Sequence, residues 1–292
     1  METQTLANHY ARCTALASSH YENFPVGRLV PEEIRPHVHA VYAFARTADD
    51  IADEGYTDED ALTESARLAQ MHRFQELLES CLANQSIPES HQWIFHPLAD
   101  TIKRFDLPPR LFRDLLSAFE QDIIKRRYQD FTEVTDYCRR SANPIGRLVL
   151  YLHGYREEKL HLLSDQICTG LQLANFWQDV SVDLKKDRIY LPLDEMGNYQ
   201  VTIENLKTCE ATQSYQDLLQ FQVERTWTFF RNGESLTHHL KDLLRWEIRM
   251  TWLGGTTILK KIKSQSYDTL SHRPQLSKFD MLCLLPYAWL TK

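Results

Sequence analysis

The sequence predicts an all-α fold, and three observations support this prediction. Apolar residues recur every three or four positions over most of the chain, as they do along the buried side of a helix. Only 9 Gly and 11 Pro occur among the 292 residues, and runs of β-branched residues are rare. No shift in composition marks a boundary, so we expect one domain spanning residues 1–292, with its core at about 20–290.

Proline and glycine separate the predicted helices. Pro108 and Pro109 mark the boundary between two of them. Proline is tolerated in the first turn of a helix but disrupts its interior, so the next helix can begin at Pro109. Pro144 precedes another helix, and Pro192 and Gly197 interrupt the chain after a long periodic segment. The predicted helices cover residues 31–54, 60–82, 91–104, 109–124, 130–139, 144–153, 159–184, 211–232, 241–264 and 278–290.

Composition and charge narrow the class of protein. The net charge of -7 and the shortness of the densest basic run, residues 125–127, argue against nucleic-acid binding. The six cysteines are scattered without a CxxC pair, which indicates reduced thiols in a cytoplasmic protein rather than disulfides or a zinc site. The N-terminus lacks the apolar segment of a secretory signal. The longest apolar run, residues 281–290, is shorter than the roughly 20 residues of a membrane span, so it packs in the core or contacts a membrane surface.

Five polar residues share one stripe of the first predicted helix, within the segment YAFARTADDIADE. They stand at i, i+4, i+7, i+8 and i+11, and almost all positions around them are apolar. These residues are Tyr42, Arg46, Asp49, Asp50 and Asp53. A surface helix would show a broad polar face. A narrow charged stripe between apolar residues therefore indicates a helix inside a bundle, with its polar side toward a cavity.

A second segment, GLQLANFWQDVSVDLKKDRIYLP, repeats this arrangement far along the chain. Its polar residues at i, i+3, i+7 and i+11 are Gln172, Asn175, Asp179 and Asp183. An isolated D-x-x-x-D pair is usually solvated, and like charges four residues apart destabilise a helix by about 0.2–0.5 kcal/mol. Two such pairs in apolar helices predict a compensating cation. Mg²⁺ fits, because it binds through a few carboxylates together with substrate phosphates.

If the two acidic faces meet, the sequence predicts Mg²⁺ bound to a diphosphate. The metal and a cation such as Arg46 would neutralise that leaving group, and ionisation of the C–O bond would leave an allylic or cyclopropylcarbinyl carbocation. Such a cation needs a dry pocket with polarisable walls, and 11% of the chain is aromatic. Neither a nucleophile elbow nor an H-E-x-x-H motif occurs, so hydrolase chemistry has no support.

These segments resemble the squalene/phytoene synthase family of head-to-head prenyl synthases. The matching stretches are YAFARTADDIADE, DIIKRRYQDFTEVTDYCRRSANPIGRLVLYL and GLQLANFWQDVSVDLKKDRIYLP, and the resemblance covers about residues 20–290. It implies a single-domain, all-α isoprenoid synthase bundle with a central cavity, and a Mg²⁺-dependent enzyme acting on prenyl diphosphates. The opening ENFPV and the block YCRRSANPIGRL resemble the hydroxysqualene synthases of bacterial hopanoid pathways.

The resemblance also implies roles for individual residues. Metal binding is implied for Asp49, Asp53, Asp179 and Asp183, with Asp50 as a further candidate inside the first motif. The implied catalytic residues, which position the substrate or the carbocation, are Tyr42, Arg46, Tyr137, Gln172 and Asn175. Diphosphate binding is implied for Arg46, Arg188 and Tyr190. We also predict substrate or diphosphate binding by Asn23, Asn143 and Lys185. Arg188 and Tyr190 match a flap that closes over the diphosphate.

Two departures from the family pattern bear on the substrate. Residues 21–24 read Tyr-Glu-Asn-Phe where members that condense two prenyl diphosphates usually have Ser-x-Ser-Phe. Residues 141–144 read Ser-Ala-Asn-Pro where those members usually have Val-Ala-Gly. A bulky ring and an acid thus replace small hydroxyls near a second diphosphate. We hypothesise that only one diphosphate binds, and that presqualene diphosphate and water give hydroxysqualene and diphosphate.

Several alternatives stay open at this point. The chain could condense two prenyl diphosphates to squalene or phytoene, or act as a non-catalytic assembly factor, although such factors are expected to lose a metal motif. Gly254 and Gly255 are interpreted as a close helix contact rather than a dinucleotide loop. Tyr137 could instead hydrogen-bond a helix end. A C30 product also predicts contact with a membrane surface and with enzymes upstream and downstream.

Overall fold

The computed structural model describes residues 2–19, 30–53 and 63–290, with side chains from 5–19, 30–53 and 63–286. The protein is 77% helical and forms no strand in these ranges, which confirms the predicted all-α class. The helices are α1 (Glu2–Ser19), α2 (Arg35–Asp53), α3 (Glu64–Leu82), α4 (Glu89–Phe105), α5 (Pro109–Ile124), α6 (Phe131–Ser141), α7 (Asn143–Leu152), α8 (Glu158–Gln178), α9 (Val180–Asp183), α10 (Leu193–Asn198), α11 (Ile203–Lys207), α12 (Gln213–Gly233), α13 (Leu236–His239), α14 (Asp242–Ser264) and α15 (Lys278–Leu290), with a 3₁₀ turn at Leu184–Lys186.

The predicted helices occur with ends within a few residues of their predicted positions, and the structure corrects the prediction in three places. The short helices α10, α11 and α13 were not predicted, and Gly197, which was predicted to interrupt the chain, lies within α10. α1 is missing from the prediction because its sequence has no clear apolar stripe. It packs through the buried Cys13 against Ala40 and Ala43 of α2. Polar contacts add to this, since the Tyr10 hydroxyl lies 2.9 Å from His37 Nδ1 and 2.7 Å from Asp100 Oδ2. The predicted helix 159–184 is interrupted, because α8 ends one residue before Asp179.

The chain forms two compact units, Met1–Ile124 with Arg147–Arg156 and Lys125–Gly146 with Glu157–Lys292. The single domain therefore stays a prediction, and each unit is described by itself. In the first, α2 to α5 surround a core in which the Phe44 ring stacks on Phe74 at a centroid distance of 5.4 Å. This core buries the apolar side of α2 and leaves its acidic residues partly exposed.

In the second unit, α8 packs closely along α12 and α14. The buried Trp177 ring donates a hydrogen bond from Nε1 to Thr226 Oγ1 at 2.8 Å, which joins α8 to α12. Glycines permit the close approach: a Cβ at Gly255 would lie 2.6 Å from Phe230 Cζ and 2.7 Å from Leu171 Cδ2. The interpretation of Gly255 as a close helix contact is confirmed.

Candidate functional site

The first acidic motif, Asp49, Asp50 and Asp53, lies on the last turns of α2. The guanidinium of Arg46 contacts Asp50 Oδ1 at 2.6 Å and Asp49 Oδ2 at 3.5 Å. The side chains of Asp49 and Asp50 are 42% and 36% exposed, so these carboxylates are not the buried charges that the apolar surroundings suggested. Because these carboxylates are partly exposed and paired with Arg46, they do not need a bound cation to offset a cost of burial.

Electrostatic coupling links Arg46 to the rest of the stripe. Burial lowers the pKa of Arg46, but Asp50 and Asp49 more than offset that effect and raise it overall. Burial also raises the pKa of Tyr42, which Arg46 opposes and Asp50 reinforces. The structure therefore brings Tyr42, Arg46, Asp49 and Asp50 into one interacting group. It places Asp53 one turn beyond Asp49 on the same helix face.

A cavity of about 460 Å³ opens beside the first motif, between α2, α3 and the start of α4. Asp50 forms part of its wall, together with residues that the sequence reading did not select. Its polar lining also includes Thr47, Gln70, Arg73 and His91. A ligand in this cavity could thus contact Asp50 even though Arg46 also contacts it.

The second acidic motif, Asp179 and Asp183, lies where α8 ends. Asp179 leaves helical geometry at φ -103° and ψ 14°, and its N–H still bonds to the Asn175 carbonyl at 2.9 Å. Its own carbonyl accepts the N–H groups of Val182 and Asp183 at 2.8 Å each. Asp favours such positions because its side chain competes for nearby donors. The i to i+4 bond keeps Asp183 one turn beyond Asp179 despite the interruption.

Asp179 carries an ion pair that the sequence reading missed. Arg273 donates from Nε to Asp179 Oδ1 at 2.5 Å and from a terminal nitrogen to Oδ2 at 3.1 Å. Asn175 Nδ2 donates to the same Oδ2 at 3.1 Å. The bond to Asp179 raises the pKa of Arg273, burial opposes it, and Asp183 adds to the increase. No local signal identifies Arg273, because 94 residues separate it from Asp179.

The predicted flap residues follow the second motif in a segment that is held by the loop before α6. Arg188 N–H bonds to the Asp183 carbonyl at 2.9 Å, and Ile189 N–H bonds to the Arg126 carbonyl at 3.0 Å. Arg127 donates to the carbonyl and carboxylate of Asp187, the residue that turns this segment at φ 54°. These bonds hold the backbone of the segment in this position.

The three predicted diphosphate-binding residues of this segment differ in solvent exposure. Lys185 is exposed, whereas Arg188 and Tyr190 are 7% and 8% exposed. Only Lys185 therefore presents its side chain broadly to solvent.

Four buried rings form an aromatic cluster next to the second motif: Tyr128, Tyr137, Phe176 and Tyr190. Tyr190 stacks on Phe176 with ring centroids 3.7 Å apart and planes within 8°, and Tyr137 lies 5.9 Å from Phe176. Tyr128 stacks on Tyr190 at 5.4 Å. Their electron-rich faces are the kind of surface that stabilises a cation. Tyr137 and Tyr190 were predicted site residues, whereas Tyr128 was not selected.

The remaining predicted residues occupy separate positions. Asn143 is buried at the start of α7, and its Oδ1 accepts a hydrogen bond from Thr169 Oγ1 at 3.0 Å. Gln172 is partly buried on α8, and Asn175 is exposed one turn before Asp179. Asn23 lies outside the described residues, as does the rest of the 21–24 segment.

The donor chemistry of both motifs fits Mg²⁺. In the described ranges no three His, Cys, Asp or Glu side chains gather closely enough to enclose a metal by themselves. Mg²⁺ needs no such enclosure, because it binds through one or two carboxylates and keeps its other positions for water and phosphate oxygens. Each motif supplies hard carboxylate oxygens four residues apart, with an arginine already attracted to them.

Comparison with known proteins identifies a family whose model spans both acidic motifs. The model for squalene/phytoene synthase matches residues 17–280. The hydroxysqualene synthase of Sinorhizobium fredii is 33% identical over 264 residues, which are 89% of this chain and 85% of that protein. The phytoene synthase of Arthrospira platensis is 27% identical over 300 residues, covering 98% of this chain and 94% of the relative.

Structural similarity agrees with the sequence match. The crystal structure of squalene synthase HpnC from Alicyclobacillus acidocaldarius superposes with a TM-score of 0.81 and 34% identity, over 90% of this chain and 96% of that one. The family match covers the two acidic motifs, the aromatic cluster and the segment that carries Arg273. The chain therefore belongs to the squalene/phytoene synthase family, whose members are enzymes that process prenyl diphosphates and generally depend on a divalent metal.

Proposed function

We propose that this protein is a hydroxysqualene synthase, which converts presqualene diphosphate and water to hydroxysqualene and diphosphate. The observation that carries the proposal is that each acidic motif is paired with an arginine, Arg46 at the first and Arg273 at the second. Carboxylates and guanidinium groups together are the set that a metal diphosphate requires. The similarity to the hydroxysqualene synthase of S. fredii and the departures from the condensing pattern at 21–24 and 141–144 favour this member of the family over a condensing synthase.

In this proposal the aspartates hold the cofactor, Mg²⁺. The metal-binding residues are Asp49, Asp53, Asp179 and Asp183, while Asp50 orients Arg46 through their 2.6 Å contact. When bound, the metal neutralises charge on the departing diphosphate. Arg46, Lys185 and Arg188 contribute positive charge for diphosphate binding, and Asn143 orients the substrate.

The reaction then needs a protected carbocation and a water. The C–O bond to diphosphate breaks with both electrons on oxygen, and the cyclopropylcarbinyl cation rearranges. Water adds to the rearranged cation and loses a proton, which gives the alcohol. Tyr137, which lies beside the stacked rings of Phe176 and Tyr190, provides polarisable surface for the cation. Tyr42, Gln172 and Asn175 position the substrate.

The test is product analysis with isotopic water. The purified protein is incubated with presqualene diphosphate and Mg²⁺ in H₂¹⁸O, and the products are identified by mass spectrometry. The proposal predicts hydroxysqualene that carries the heavy oxygen. Squalene formed with NADPH, or presqualene diphosphate and phytoene formed efficiently from shorter prenyl diphosphates, would instead identify the condensing alternative. A folded protein that releases no diphosphate from any of these substrates would favour the assembly factor.

We also propose that α15 contacts an anionic membrane surface, where a C30 substrate and product would reside. No helix in the described part of the chain has both the length and the apolar character needed to cross a bilayer. α15 instead exposes Phe279, Leu282 and Leu285 on one side, at 73%, 64% and 37%. Exposed Lys278 begins this helix, while Asp280 is neutralised by Lys261 at 2.9 Å. An apolar row beside an exposed lysine fits anionic lipid.

Vesicle sedimentation tests this surface. The protein should bind vesicles that contain anionic phospholipid better than neutral ones, and Leu282→Ser should weaken that binding. Leu162→Ser is the matched control, because Leu162 is 54% exposed on α8. Equal loss in both variants would contradict the assignment. A shift from dimer to monomer in Leu282→Ser, without any vesicle binding by the parent protein, would identify a second copy of the chain as the occupant.

A further inference from the structure

Arg273 occupies the carboxylate that the proposed function assigns to the metal. Its two bonds to Asp179, at 2.5 and 3.1 Å, engage both carboxylate oxygens, and Asn175 adds a third donor at 3.1 Å. The Asp179 side chain is only 15% exposed, so little of it is left for another partner. A bidentate Arg–carboxylate pair is among the stronger hydrogen-bonded ion pairs. A divalent cation that binds Asp179 must therefore compete with Arg273 for the same oxygens.

Hydrogen bonds to Gln178 and Gln265 hold the segment that carries Arg273, one on each side of the arginine. Gln178, the last residue of α8, donates from Nε2 to the Pro274 carbonyl at 2.7 Å. Gln265, just after α14, donates from Nε2 to the His272 carbonyl at 2.7 Å. The backbone on either side of Arg273 is thus fixed next to Asp179. The arginine loses less conformational freedom in pairing than a side chain on a loose loop would, which favours the ion pair.

The position of Arg273 also relates it to Asp183. Both aspartates of the second motif attract the guanidinium, and Asp179 bonds to it directly. A cation held by both carboxylates would lie close to the place that Arg273 takes. Once displaced, the guanidinium would remain beside the metal, where an anion could accept its donors. The free-energy cost of breaking the Arg273–Asp179 ion pair would thus be smaller for metal that arrives with diphosphate than for metal alone.

We propose that Arg273 is a latch on the second motif: it competes with divalent metal for Asp179 and pairs with the diphosphate once the metal has displaced it. This inference rests on the proposed role of Asp179 as a metal ligand. Its consequence is an order of binding in which metal alone binds weakly and metal diphosphate binds well. Arg273 is a positioning residue in this scheme, because it acts by way of Asp179 and the diphosphate.

The first test measures metal binding without substrate, using electron paramagnetic resonance of free Mn²⁺. Arg273→Gln should bind Mn²⁺ about 3- to 10-fold more tightly than the parent protein, in the range expected for losing a partly exposed charged pair. Arg273→Lys keeps the charge but cannot form the bidentate pair, so it should also bind more tightly. Arg231→Gln is the matched control, since it removes an exposed arginine of the same unit and should leave the affinity unchanged.

The second test measures inorganic diphosphate binding in saturating Mg²⁺ by calorimetry. Arg273→Gln should weaken diphosphate binding by about 10-fold, because a charge-assisted bond to phosphate is lost. Tighter metal binding together with weaker diphosphate binding is a pair of opposite effects that a merely structural role would not produce. Thermal unfolding of each variant checks that the fold is retained.

The outcomes separate this inference from the proposed function. If Asp179→Asn weakens Mn²⁺ binding but Arg273→Gln and Arg273→Lys bind Mn²⁺ like the parent protein, the latch is wrong and the metal assignment stands. If Asp179→Asn leaves Mn²⁺ binding unchanged, Asp179 is no metal ligand, and both the latch and that part of the proposed function are overturned. If Arg273→Lys alone matches the parent protein, net charge rather than competition explains the effect, and the latch is again refuted.

Discussion

Replacing Gly233 with alanine tests the close contact of α12 with the helix that leads into the second motif. A Cβ at this position would lie 2.6 Å from Ile167 Cγ1, 2.9 Å from the Leu163 carbonyl oxygen and 3.1 Å from the Ile167 nitrogen. The Ile167 side chain can rotate away. The Leu163 oxygen belongs to the backbone of α8, so relief requires a shift of the helix itself. Overpacking of this kind costs about 1–3 kcal/mol.

The matched control is Gly197→Ala, because a Cβ there meets no heavy atom within 4 Å. Gly197 lies in the short helix α10, where alanine should be neutral or stabilise the fold by up to about 1 kcal/mol. Urea unfolding under reducing conditions measures both variants. We expect the free energy of unfolding to fall for Gly233→Ala alone. Diphosphate release should fall further than the folded fraction does, since α8 carries Asp179 at its end. Equal stability of Gly233→Ala and the parent protein would refute the packing argument.

Three further predictions concern the second unit. Tyr190→Ala should destabilise the protein by about 3–5 kcal/mol in urea unfolding, whereas Tyr190→Phe keeps the stack on Phe176 and should lose much less. Burial raises the pKa of Glu247 from 4.5 to about 7, so the folded protein holds a proton that the unfolded chain has lost between these values. The free energy of unfolding should therefore decline as pH rises through this window, and Glu247→Gln should abolish the decline. Arg127→Gln should speed hydrogen exchange at Ile189 at least several-fold, measured by mass spectrometry, because it frees the flap segment.

The sequence predicted the helices well because their apolar periodicity is local information. It also predicted the group formed by Tyr42, Arg46, Asp49 and Asp50, since residues four apart on a helix are neighbours whatever the rest of the chain does. Periodicity could not predict the solvent exposure of these side chains. The apolar surroundings of Asp49 suggested a buried charge, but its side chain is 42% exposed.

Long-range pairings were beyond the sequence. Arg273 meets Asp179 across 94 residues, and neither residue carries a local signal for the other. Helical periodicity also predicted a continuous helix through Asp179, where α8 ends and where Arg273 and Asn175 engage the Asp179 side chain. α1 was missed for a related reason, since Tyr10 secures it through partners 27 and 90 residues away.

The most direct test of the central claim is the dependence of diphosphate release on both acidic motifs. Release from presqualene diphosphate is followed with Mg²⁺ and with EDTA, in the parent protein and in the variants Asp49→Asn and Asp179→Asn. The account predicts release only with Mg²⁺, and a loss of about 100-fold or more in each variant, because the leaving group loses metal-borne charge stabilisation. Undiminished release in EDTA, or full activity in either variant, would contradict it.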